Sequence, residues 1–85
     1  MNSATVIRAD GKKEKLDHRP SLVEAQQIVG GYIELLPVNG KVLAVNEDGR
    51  PKRLPINITA TILYDFKTYI LGDVIVLEGW RTVGK

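Results

Sequence analysis

The chain has 85 residues, with 12 Lys and Arg against 10 Asp and Glu for a net charge of +2, one histidine and no cysteine. A domain this small hides only about 60 to 65% of the surface its unfolded chain exposes, so residues 1–85 are expected to form one domain with a thin core. The composition excludes disulfides and, with His18 alone, a usual zinc set; the charge excludes a strongly acidic DNA mimic and a broad basic nucleic-acid face, and self-association is the expected supplement to the core.

MNSATVIRAD has no basic start followed by an apolar block, and no apolar run approaches the roughly 18 to 20 residues of a membrane helix. With the lack of cysteine, this places the chain by expectation in a bacterial cytoplasm, away from the membrane. TVIRA within Ser3 to Ala9 alternates and is β-branched, Asp10-Gly11 signals a turn, and KKEKLD returns as a polar outer strand. Ser21 and Glu24 form a capping-box pattern, Leu22, Ala25, Ile28 and Val29 recur at helical spacing, and Gly30-Gly31 stops the segment, so Ser21 to Val29 reads as a helix.

Tyr32 to Pro37 and Lys41 to Asn46 read as a hairpin around the turn Val38-Asn39-Gly40. Ile58 to Phe66 supports two readings. Thr59, Thr61 and Ile62 favour a strand, whereas Asn57 as cap and the spacing of Ile58, Ile62 and Phe66 favour a helix, which we prefer because two helices cover a sheet face better than one. After Gly72-Asp73, Val74 to Leu77 has the continuous apolar character of an inner strand. The expected fold is α+β, a small antiparallel sheet of about four or five strands with one or two short helices on one face.

The stretch NEDGRPKRLPIN, Asn46 to Asn57, holds the densest chemistry. Arg50, Lys52 and Arg53 form a cationic cluster stiffened by Pro51 and Pro55, with Glu47 and Asp48 beside it as a partial offset. A solvated connection and an anion contact both fit these residues. Among the aromatics, Tyr32 and Phe66 are assigned to packing, while Tyr69 and Trp80 flank turns and are the candidates for contact, Trp80 at a subunit interface as one option. His18 reads as a surface residue, and the scattered acids read as turn and cap residues, so no catalytic, metal or cofactor site is expected and the chain is not read as an enzyme.

SLVEAQQIVGGYIEL, VLAVNEDG, LPIN and GDVIVL, in that order from Ser21 to Gly79, resemble domain of unknown function 3846, a family found largely in phages and in phage-derived bacterial DNA. The cations at Arg50, Lys52 and Arg53 depart from its pattern. The resemblance implies an accessory phage protein acting on its host. For such a protein we expect capture of a nucleotide-type host signal through a homo-oligomer, with Arg50, Lys52 and Arg53 on phosphate, Asn57 on a base edge, and Tyr69 and Trp80 stacking. The alternative is inhibition or regulation of a host protein by direct binding, followed by single-stranded nucleic-acid binding.

Overall fold

Alternation and turn chemistry close into one five-stranded antiparallel sheet in the computed structural model, which describes residues 2–80 and Gly84. In chain order the elements are β1 (Ser3–Ile7), β2 (Lys13–Leu16), α1 (Leu22–Val29), β3 (Ile33–Val38), β4 (Lys41–Asn46), α2 (Ile58–Leu63) and β5 (Val74–Glu78). The strand order is β2-β1-β5-β4-β3, so the run VIVL occupies the middle of the sheet, as its lack of polar residues requires. The β3-β4 hairpin pairs Ile33 with Asn46 through to Val38 with Lys41. Its turn residues Asn39 (φ 48°) and Gly40 (φ 77°) both lie in the left-handed region, as a two-residue turn matched to strand twist demands. Both sheet edges resist further pairing, β2 through exposed Lys13, Glu14 and Lys15 and β3 through Pro37, which has no N–H to donate.

The expected α+β class, antiparallel sheet and two short helices are present, but the helices lie on opposite faces instead of sharing one. The inner strands explain this. Successive side chains alternate, so Val42, Ala44, Ile75 and Leu77 pack with Ala25 of α1, while Leu43, Val45, Val74 and Val76 pack with Ala60 of α2. A strand apolar throughout has two faces to cover, and each takes one helix.

Ser21 caps α1, its hydroxyl accepting a 3.1 Å hydrogen bond from the Glu24 amide, and Gly30 ends it in the left-handed conformation (φ 84°). Asn57 caps α2, its Oδ1 accepting from the Ala60 amide at 3.0 Å, which settles residues 58–63 as helix. Thr61, one of the residues that favoured a strand, is accommodated because its hydroxyl donates to the Asn57 carbonyl at 2.8 Å and accepts from the Ile70 amide at 2.9 Å. No described helix is long and apolar enough to cross a membrane.

Candidate functional site

With six residues, α2 spans about 9 Å. Five strands spaced at roughly 4.8 Å make a sheet about 19 Å across, so α2 cannot cover it. On the β3 and β4 side its place is taken by two connections. One is the turn-rich segment after Asn46, and the other is the Thr68 to Leu71 stretch leading toward β5. Between them and the sheet lies a cleft of about 200 Å³, its lining including Leu36, Val45 and Leu71 with the polar groups of Glu34, Glu47, Arg50, Thr68 and Tyr69.

Buried asparagines hold both ends of the Asn46 to Asn57 segment. Asn46 Nδ2 donates to the Val29 carbonyl at the end of α1 (2.9 Å), while its Oδ1 accepts from the Asp48 amide (2.7 Å). Asn57 Nδ2 donates to the carbonyls of Ile7 (2.9 Å) and Gly72 (2.8 Å). Between them the backbone folds on itself, Leu54 N–H donating to Gly49 O (3.0 Å) and Arg53 N–H to Arg50 O (3.0 Å), and Gly72 N–H ties Pro55 O across at 2.7 Å. The segment is therefore a framed platform and not a loose connection.

The six candidate residues separate on this platform. Arg50 lines the cleft, where its Nη2 donates to the Thr68 hydroxyl at 2.6 Å, and Tyr69, 61% exposed, stands beside it. Among the described residues no carboxylate lies within ion-pair distance of Arg50, Lys52 or Arg53. Lys52 turns the other way, Nζ donating to the Gly30 carbonyl at 3.2 Å, where it supplies the cation that the last turn of α1 lacks. Arg53 is exposed, with its backbone in the left-handed region (φ 54°). Asn57 is 1% exposed, and both its N–H groups and its carbonyl are bonded within the fold, so its amide is not offered to a ligand. Trp80 packs against the core of the α1 face, across the sheet from Arg50 and Tyr69. The structure thus brings two of the six together, Arg50 and Tyr69.

Thr68, Glu34 and Glu47 complete the cleft without having been singled out for it. In the sequence Glu47 reads only as an offset to the cations, Glu34 only as a strand residue of the YIEL stretch, and Thr68 belongs to no motif, because the cleft is made by segments far apart in the chain. The packing assignments of Tyr32 and Phe66 are corrected, since they are 70% and 66% exposed. For Phe66 the cause is local. After α2, Asp65 (φ 56°) and Phe66 (φ 55°) both enter the left-handed region, which carries the ring out of the core at a cost of about 1 to 3 kcal/mol per residue.

The charged groups elsewhere are structural. Arg8 braces two elements, its Nε at 2.9 Å from Glu14 and its Nη1 at 3.0 Å from Asp73, and these bonds, that to Glu14 foremost, raise its pKa further. His18 lies on the surface as read, between Asp17 (2.7 Å) and Glu24 (2.8 Å); hydrogen bonding to Asp17 first, then Glu24, raises its pKa above the usual imidazole value. Among the described residues no group of three or more metal-binding side chains converges.

A family model described as domain of unknown function 3846 matches residues 1–83, and the chain belongs to that family. No curated protein and no solved structure matches it.

Proposed function

We propose that this member of the domain of unknown function 3846 family is a non-enzymatic binding protein that captures a nucleotide-type small molecule in the cleft beside α2. One observation carries the reading. Arg50 is held by Thr68 at the cleft wall with no carboxylate paired to it, next to an exposed tyrosine ring, over an apolar floor. A guanidinium in that position supplies a charge-assisted contact to a phosphate oxygen, and Tyr69 offers a face on which a base stacks.

The lining limits the ligand further. Glu34 and Glu47 set two carboxylates against one guanidinium, which disfavours a polyphosphate. They suit a base whose edge presents N–H donors, because a carboxylate only accepts. The ligand class is therefore a nucleotide with few phosphate charges and an amino-bearing ring. At about 200 Å³ the cleft is smaller than the roughly 300 Å³ at which small-molecule sites begin, so one chain covers the ligand only in part and an oligomer is expected to complete it. Sequestering a host signal, as the phage context of the resemblance implies, needs no chemistry beyond this.

A second reading, direct binding to a host protein, is favoured by the exposed apolar row on α2, taken up below. Calorimetric titration of the protein with nucleoside monophosphates, cyclic dinucleotides and ADP-ribose derivatives tests the first. Saturable heat from a member of this set is expected. No heat from any of them would overturn nucleotide capture and leave the protein-binding reading.

A further inference from the structure

We infer that the outward face of α2 is where a second copy of this chain docks, about a two-fold axis. Besides the side that packs on the sheet through Ala60 and Leu63, the helix carries large apolar residues that face out. Its buried residues are Ala60 and Thr61, small or polar, whereas Ile58 and Ile62, one turn apart, are 67% and 53% exposed. An amphipathic helix ordinarily turns such a row inward. Phe66 and Tyr69, also exposed, follow it in the chain and line one hollow together, and Phe66 holds a left-handed backbone (φ 55°) that a bulky residue rarely adopts.

Area and charge identify the occupant. Ile58, Ile62, Phe66 and Tyr69 together present on the order of 500 Å². A standard interface buries about 800 Å² per partner, a little over half of it apolar, so this row matches the apolar portion of one such surface. Phe66 is flanked in the chain by one acid and one base, both exposed: Asp65, which accepts from Asn39 Nδ2 at 2.9 Å, and Lys67, whose Nζ lies 5.5 Å from the centre of the Tyr64 ring. A two-fold interface presents the same patch twice, so each patch needs both signs for acid to meet base. Nucleic acid or an anionic membrane surface would instead call for cations alone. A second copy also supplies the burial that a thin core lacks.

Tyr69 lines both the Arg50 cleft and the hollow it shares with Phe66, so the proposed interface runs to the mouth of the cleft. Enclosure of a ligand by the second copy rests on the ligand reading above; the dimer itself does not.

Sedimentation equilibrium without added ligand tests the dimer. The parent should be dimeric at micromolar concentration, Ile62→Asp and Phe66→Ser should each weaken association at least 100-fold, and Val23→Asp, at a site 63% exposed on α1 across the sheet, should leave it unchanged. As the chain has no cysteine, Ile62→Cys and Val23→Cys give a second measurement that needs no loss of folding: under mild oxidation the first should cross-link as a dimer and the second should not. A parent that stays monomeric at 100 µM, or a dimer that survives Ile62→Asp or is lost equally with Val23→Asp, overturns the inference. Nucleotide heat from a monomeric parent would reject the dimer while keeping the ligand reading, and a dimer without nucleotide heat would do the reverse.

Discussion

The two faces of the sheet are built from the same strands and differ in how their helices are finished. On one face α1 ends in Ser21 and Gly30, its last carbonyls take Asn46 and Lys52 from a distant turn, and Ile28, Ile33 and Trp80 fill in around Ala25. On the other, α2 is shorter, buries Ala60 and Thr61, and leaves its isoleucines, Phe66 and Tyr69 in solvent beside an open cleft. Both helices leave apolar residues in solvent, Leu22 and Val23 on α1 and Ile58 and Ile62 on α2, but those of α2 stand on the face that carries the cleft. That difference teaches where to look for binding in a chain whose composition points nowhere.

The sharpest break between stability and binding is at Asn57. If it belongs to the frame and not to the ligand, Asn57→Ala should cost about 3 kcal/mol or more, because the carbonyls of Ile7 and Gly72 and the Ala60 amide lose a buried partner together. A denaturant midpoint shift corresponding to less than about 1 kcal/mol would return Asn57 to the candidate site. Phe66 should behave in the opposite sense. A core aromatic costs about 3 to 5 kcal/mol on truncation, but Phe66→Gly should leave unfolding of the monomer unchanged or stabilise it by up to about 1 kcal/mol, since glycine relieves the left-handed conformation. A large loss would mean that the α2 face is core after all.

On the α1 side Ser21→Ala should cost about 1 kcal/mol, read by denaturant unfolding, through the lost bond to the Glu24 amide. The smallest effect belongs to His18. Its pKa is raised by Asp17 and Glu24, so its ion pairs contribute fully below the ordinary value near 6.5 and that contribution fades as pH rises through the raised one. NMR titration should place its midpoint above that of a free imidazole, and Asp17→Asn should bring it down; an unshifted midpoint would show that the contact does not persist in solution.

Much of this fold was legible. The caps at Ser21 and Asn57, the Asn39-Gly40 turn and the apolar run of β5 are local signals, and each falls where its chemistry places it. The division of the helices between faces is implicit in that same run, since a strand apolar throughout has two faces to cover. The candidate site is less legible, because proximity in sequence is not proximity in space. Arg50, Lys52 and Arg53 lie together in the chain, yet the turn sends Arg50 to the cleft and Lys52 to the end of α1. Ile58 and Ile62 mark the helix but belong to its outer face, and Phe66, which shares their spacing, lies beyond its end at Leu63, because spacing reports that a row exists and not which way it points or where the helix stops.

The divergence of Arg50 and Lys52 offers the most direct test of a binding face beside α2. Calorimetric titration of the parent, Arg50→Ala and Lys52→Ala with the nucleotide that gives heat should show binding lost by about 1.5 to 3 kcal/mol in the first variant and retained in the second, with unfolding nearly unchanged in both. Equal loss in the two variants would contradict the account, as would full binding by Arg50→Ala.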